Sequence, residues 1–454
     1  MKYVSTRGGC AAVSFTEAVA QGLASDGGLF VPQELPDLSN DIPAWSDMSY
    51  QELAHAFLKH FADDLPSDEL QACIEEAYVE FDVPDIAPLT PLSKRLHLLE
   101  LYHGPTLAFK DFALQLLGNL YESQIKRTGE PINVLGATSG DTGAAAIHGL
   151  LGRPGINIFI LYPARGISPL QERQMTCTEA GNVFPIPIEG TFDDAQALVK
   201  EAYADRQFVE QVHLSAVNSI NLARILAQSV YYVYAWHRLP EHAREDLTFV
   251  VPTGNFGNIL AGWMAIKMGL PAKKLQVATN RNDILYRLFE NGQYEADKVS
   301  PSLAPSMDIQ LASNFERFLY YTTGGDTQRV QAVQEAIRQF RTYYFEDFDR
   351  DCFCASRMSD QEIPKVIAKV YEQYGTILDP HTACGFKGLE KHANCVLLST
   401  AHPAKFPDTI ESAIGVKPTH PSLEKLKTIT PKSYPLRALD VEEVKGFIQS
   451  HAAT

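Results

Sequence analysis

Lys110 stands in the run His103-Gly-Pro-Thr-Leu-Ala-Phe-Lys-Asp-Phe112, between an aromatic side chain and an aspartate and shortly after a Gly-Pro turn. A lysine does covalent chemistry through its neutral amine, so it needs burial or nearby cations to lower its pKa. Taken alone, Lys110 reads better as an ordinary solvated or ion-paired lysine. Two loops elsewhere alter its context. Pro252-Thr-Gly-Asn-Phe-Gly-Asn258 closely follows the apolar Phe249-Val-Val251 and precedes a helical pattern. Gly254 and Gly257 let backbone N–H groups approach an oxyanion, with Asn255, Phe256 and Asn258 completing the loop. A plain strand-to-helix turn fits it as well. Gly136-Ala-Thr-Ser-Gly-Asp-Thr-Gly143 repeats the arrangement. Ser139 and Thr142 offer hydroxyls there for a carboxylate, although a simple capping motif explains the same residues.

Asn218-Ser-Ile-Asn-Leu-Ala-Arg224 places Asn218 and Ser219 at a strand end and Arg224 about one turn into the next helix. An arginine so placed can pair a phosphate bidentately, although by itself it reads better as a surface arginine on a helix. The coincidence in one chain is what counts. One candidate amine and several anion-ready loops, most of them at the same end of a predicted parallel sheet, meet the needs of a phosphorylated aldehyde. That is the chemistry of pyridoxal phosphate. Neither glycine loop matches Gly-x-Gly-x-x-Gly, which disfavours a nicotinamide cofactor.

The elements that must position these residues follow a βαβα rhythm from about residue 130. Strands are expected at 132–135, 157–161, 183–188, 213–217, 248–251, 275–278 and 395–399. Helices are expected at 141–151, 168–180, 193–204, 220–239, 258–268, 283–291, 327–345 and 360–374. This alternation predicts parallel sheets with helices on both faces. Residues 1–85 read as a separate helical unit, with helices at 15–23 and 50–61 and Ser49 as a cap. Pro84, Pro88 and Pro91 form a breaker-rich joint, and the chain from Pro418 onward is expected to wrap the surface.

At 454 residues the chain is expected to hold two or three domains. Its net charge of −16 disfavours nucleic acid or an anionic membrane as partner, since both select basic surface. No run approaches the roughly 18 apolar residues of a membrane span. The first apolar stretches are interrupted by Glu17, Gln21 and Asp26, unlike a secretory signal. Seven scattered cysteines fit a reducing cytosol, and Cys352-x-Cys354 without a second pair makes a weak metal motif, so no metal is expected.

In combination these motifs resemble those of the threonine synthase family. The resemblance rests on Phe-Lys-Asp at 109–111, Ala-Thr-Ser-Gly-Asp-Thr-Gly-Ala at 137–144 and Ile-Ser-Pro-Leu-Gln at 167–171. It rests also on Asn-Ser-Ile-Asn at 218–221, Gly-Asn-Phe-Gly-Asn at 254–258 and Thr-Ala-His-Pro-Ala-Lys-Phe at 400–406. Tyr3-x-Ser-Thr-Arg-Gly and Gly27-Gly-Leu-Phe-Val-Pro32 extend it to the N-terminus. It implies an α/β, fold-type-II pyridoxal-phosphate enzyme with two open, mainly parallel sheet domains and a helical N-terminal domain. The implied division is 1–90 for the N-terminal domain, 91–130 with 230–415 for the cofactor domain, 131–229 for a smaller substrate domain, and 416–454 for a tail.

The resemblance further implies that Lys110 carries the cofactor as a Schiff base and acts as the catalytic base. Gly254, Asn255, Phe256, Gly257 and Asn258 would hold the cofactor phosphate, and Thr400 the pyridine nitrogen. Asp141, where many relatives have Asn, would lie near the cofactor. Ser139 and Thr142 would take the substrate carboxylate, and Asn218, Ser219 and Arg224 its phosphate. The implied reaction turns O-phosphohomoserine and water into threonine and phosphate, in the cytoplasm, by a monomer or homodimer. A serine/threonine dehydratase, a β-replacing synthase or a non-catalytic cofactor-binding protein are the alternatives. His103 and His402 lie in motifs but are read as structural.

Overall fold

Two parallel sheets carry the chain in the computed structural model, which describes every residue except Ser139, Gly166, 347–349, 437–438 and 454. The larger sheet runs in the order Phe353–Arg357, Lys274–Thr279, Leu247–Pro252, Asn394–Ser399, Leu96–Glu100, Leu89–Pro91. It is parallel throughout except for the antiparallel edge strand Leu89–Pro91. The smaller sheet, Val183–Ile188, Ile156–Pro163, Ile132–Ala137, Leu214–Ala216, is parallel at every pairing. Strands covered on both faces read as continuous apolar runs, and all six residues of Leu247–Pro252 are buried. The βαβα reading is borne out in both sheets.

Helix Leu222–Arg238 follows the small sheet in sequence but packs against Gly257–Lys267 and Asp111–Thr128, so it couples the two halves. The N-terminal segment, read from the sequence as a separate helical unit, packs directly against the main core. Ser49 caps Tyr50–Leu58 through a reciprocal pairing with Glu52. Tyr50 then packs edge-on against Phe112 at 5.5 Å and Tyr234 at 5.1 Å. These contacts fuse the segment with the main core. It also contains a two-stranded pair, Tyr3–Ser5 with Phe30–Pro32, so it is not purely helical.

Three local expectations need correction. The helix expected over 327–345 ends at Phe340, where Arg341 adopts a left-handed φ of 62°. Thr342–Tyr344 then pairs antiparallel with Gln293–Glu295, as three strand-favouring side chains in succession prefer. The helix expected over 168–180 covers only Pro169–Thr176. Lastly, the chain after Pro418 does more than wrap the surface. Helix Val441–His451 buries Val441, Val444 and Ile448 against Phe159 and Phe184 of the small sheet, making it part of that core. Each such aliphatic side chain contributes about 1.5–3 kcal/mol when fully buried. Among the described residues, no helix is long and apolar enough to cross a membrane.

Candidate active site

Three neighbouring strands of the large sheet deliver three expected elements at their carboxyl ends. Leu247–Pro252 leads to the glycine loop, Asn394–Ser399 to Thr400, and Leu96–Glu100 to the Lys110 loop. Two neighbouring strands of the small sheet do the same. Ile132–Ala137 leads to Asp141 and Thr142, and Leu214–Ala216 to Ser219 and Arg224. Ligands of open α/β sheets bind at such edges, where helix N-termini point their free N–H groups. Here the two edges face one cavity, lined by residues that follow strands of both sheets.

Lys110, Asp141, Thr142, Ser219, Arg224, Thr400 and the whole loop Gly254 to Asn258 line that cavity. Asn218 is not among the lining residues; its Oδ1 lies beside Gly136. Ser139 falls outside the described residues. His103 binds Glu100 and Asp82, and His402 packs against Tyr102 and His420, both away from the cavity lining. Burial and the neighbouring His420 and His103 push the His402 imidazole down to about 4.

Lys110 caps helix Asp111–Thr128 at its N-terminus and is fixed from both sides. Phe109 N–H donates to the Thr400 carbonyl at 2.9 Å, and His402 N–H to the Leu107 carbonyl at 3.0 Å, with Leu107 at a φ of 62°. Asp111 accepts Thr106 N–H at 2.9 Å and Thr106 Oγ1 at 2.7 Å, closing the turn before the lysine. A Cβ at Gly104 would lie 2.5 Å from the Asp111 side chain, so that turn demands glycine. The Lys110 ammonium makes no ion pair among the described residues. Burial lowers its pKa to about 8; Asp141 opposes the shift, and Arg224 and Lys405 reinforce it.

The cavity holds donors that the protein does not satisfy. Asn258 Oδ1 accepts Tyr231 Oη at 2.6 Å and Tyr232 Oη at 2.9 Å, which turns its buried Nδ2 into a donor without a partner. Phe256, a non-glycine residue at a φ of 63°, begins helix Gly257–Lys267. Strain of this kind is retained where a loop must keep its N–H groups aimed at a ligand. Arg224 is buried, its Nη1 reaches only the Val217 carbonyl at 3.3 Å, and its Nε has no partner. Burial pushes its guanidinium down to about 10, which leaves it charged at neutral pH. Unmet buried donors on both sides of one amine fit an anionic, phosphate-bearing cofactor and a second anion.

Asp141 is held by more than its helix. Lys405 Nζ pairs with Oδ1 at 2.9 Å, Gln171 Nε2 donates to Oδ1 at 3.1 Å, and Ser306 Oγ donates to Oδ2 at 2.7 Å. Burial opposes ionisation, yet Lys405, Lys110 and His381 outweigh it and keep the carboxyl well below the usual range. His381 Nε2 accepts Ser306 N–H at 3.1 Å, and its Nδ1 lies 2.8 Å from the buried Asp379. Nδ1 therefore carries the proton toward Asp379. Sequence reasoning missed Lys405, His381 and Ser306 as site residues. Lys405 gave a signal, since it sits in the same motif as Thr400. Ser306 gave none.

The middle of the chain, residues 85–344, matches the model of the pyridoxal-phosphate dependent enzyme family. Parallel sheets meeting at a lysine-bearing cleft are what that class requires, and its cofactor is pyridoxal phosphate. The flanks are more specific. Residues 2–78 match the threonine synthase N terminus and residues 382–448 the threonine synthase C-terminal region. Threonine synthase of Pseudomonas aeruginosa is 42% identical, over 99% of this chain and 98% of that protein. The crystal structure of pyridoxal-phosphate-bound threonine synthase from Brucella melitensis matches at a TM-score of 0.94 and 42% identity, covering 100% of both chains. The yeast enzyme's structure matches at a TM-score of 0.90 and 40% identity, covering 99% of this chain and 98% of its own. The chain belongs to the threonine synthase family.

Proposed function

We propose that this cavity converts O-phosphohomoserine and water to threonine and phosphate, with Lys110 as the catalytic residue. The observation that carries the reading is one amine of lowered pKa between two sets of unmet anion donors. Gly254, Asn255, Phe256, Gly257 and Asn258 would hold the cofactor phosphate, Thr400 would bond the pyridine nitrogen, and Asp141, on the same cavity wall, would lie near the ring. When bound, pyridoxal phosphate supplies an electron sink that acidifies protons along the substrate's carbon chain. Lys110 Nζ takes the substrate's α-proton, a role that a pKa near 8 suits better than that of a free lysine. Ser219 and Arg224 hold the substrate phosphate and release it as the leaving group. Thr142, at the start of helix Asp141–Leu150, orients the carboxylate, for which Ser139 is the second candidate from the sequence. Asn218, whose backbone carbonyl accepts Asn221 N–H at 3.1 Å in the same turn as Ser219, is the third candidate for the substrate phosphate.

Seven scattered cysteines support a reducing cytosol as the setting, and either a monomer or a homodimer is compatible with a cavity built within one chain. The deciding assay follows phosphate and threonine together from O-phosphohomoserine. Equal release of both is the expected result. Phosphate with 2-oxobutanoate and no threonine would instead assign an eliminating dehydratase.

A further inference from the structure

Lys405 has no assigned part in the reading above, yet no other ammonium in the site is so completely enclosed: its side chain is 0% exposed. A buried ammonium is retained only where charge and hydrogen-bonding partners compensate its desolvation. Lys405 has two. Asp141 Oδ1 lies 2.9 Å away and the Thr106 carbonyl 2.8 Å away. Thr106 is the residue that Asp111 clamps, two bonds deep in the turn that sets Lys110. Lys405 itself lies on the one-turn helix Pro403–Lys405, directly after the Thr400 loop that pairs with Leu107 and Phe109. A single ammonium thus joins the Lys110 turn, the Thr400 loop and the helix that begins at Asp141.

The charge count around Lys110 gives this joint a second consequence. Asp141 is the carboxylate of the cavity wall, and an uncompensated carboxylate there would favour the protonated state of any nitrogen at Lys110. Lys405 sits behind it and carries the opposite charge. We propose that Lys405 is a positioning residue whose ammonium cancels the Asp141 carboxylate, so that the wall beside Lys110 presents hydrogen-bonding groups without net charge, and which locks the Lys110 turn in place. The inference rests on the reading that Lys110 carries the cofactor.

The groups that face this pair come from several elements. Lys110 and His381 act on Asp141, and Arg224 and Asp111 act on Lys110 in addition; Asp379 is in contact with His381. With all of these kept, the pair makes opposite predictions for its two halves. Lys405→Met leaves a lone negative charge, so the visible band of the cofactor-loaded protein should titrate at higher pH. Asp141→Asn leaves a lone positive charge, so the band should titrate at lower pH. Each shift is expected to be about one to three pH units. The double variant Lys405→Met with Asp141→Asn should return to within about half a unit of the starting protein, a non-additivity that only a coupled pair produces. Lys405→Arg, which keeps the charge, should titrate like the starting protein.

The measurement is a pH titration of absorbance on the full-length, cofactor-loaded protein, with a thermal melt of each variant as the folding control. A structural role alone would lower the melting temperature of each single variant without moving the titration in opposite directions. Shifts of the same sign, no shift, or a double variant displaced as far as the single ones would overturn the inference. If Lys405→Met does not fold, the Asp141→Asn, double and Lys405→Arg titrations decide it in the same way. A starting protein with no visible band, or a band that survives in Lys110→Ala, would refute the cofactor reading instead.

Discussion

The glycine loop at 254–258 and the corner at 218–224 are both built to take an anion, and they do it by opposite means. The glycine loop offers neutral donors: a helix N-terminus behind Phe256 in left-handed geometry, and Asn258 Nδ2 freed by two tyrosine hydroxyls. The corner offers one formal charge, Arg224, buried without a carboxylate among the described residues. Neutral backbone donors suit a resident group that stays bound through many turnovers, because their geometry is fixed by the sheet. A buried, unpaired guanidinium is costly while empty and is relieved when a dianion arrives. It therefore favours a ligand that comes and goes.

Lys110 lies between the two and is the place to break the contrast most completely. Lys110→Ala should lower turnover by about 10⁴-fold, while both anion sites survive. Equilibrium dialysis should still find cofactor bound, now without the visible band. Loss of binding together with activity would mean that the glycine loop does not hold the cofactor independently.

Removing the charged side comes next. Charge-assisted hydrogen bonds contribute about 1.5–3 kcal/mol each, so Arg224→Ala should raise the KM for O-phosphohomoserine by about 10–100-fold. Cofactor affinity should stay within about twofold. An unchanged KM would remove Arg224 from the substrate site. The neutral side should show the reverse pattern at smaller size. Asn258→Asp keeps the acceptor for Tyr231 and Tyr232 but deletes the free donor, and should weaken cofactor binding by about tenfold with little effect on KM. If both variants change the same parameter, the two sites are not separate.

The smallest effect is one of pH. Burial, with help from Arg224, lowers the Lys110 pKa to about 8, and the neutral amine is the form that captures an aldehyde. Covalent uptake of the cofactor by cofactor-free protein should therefore rise with pH, about tenfold per unit below pH 8, and level off above it. In Arg224→Ala the plateau should begin at higher pH, because one cation no longer disfavours the ammonium. A midpoint near that of free lysine in the starting protein would show that Lys110 is not enclosed as described.

The glycine loop and the corner also differed in how far the sequence disclosed them. Glycine spacing after an apolar run needs no tertiary knowledge, because a tight strand-to-helix turn leaves its own local signature. The parallel sheets, the cap at Ser49 and Lys110 in its motif were legible for the same reason. Arg224 alone looked like a surface residue, since helix position says nothing of what covers it. The short strand at Thr342–Tyr344 and the docked helix Val441–His451 were lost because partners far away in sequence, Gln293–Glu295 and the small sheet, decide their state.

The sequence by itself determined which loops could bind anions, which lysine could react and that helices alternate with strands, all properties written in neighbouring residues. Only the tertiary structure decided that five strand ends meet at one cavity, and that Asp141 is paired with Lys405 rather than left facing Lys110 alone. The reason is range. A turn is set over a few residues, whereas a buried charge is settled by partners here more than 250 residues apart, which share no local pattern.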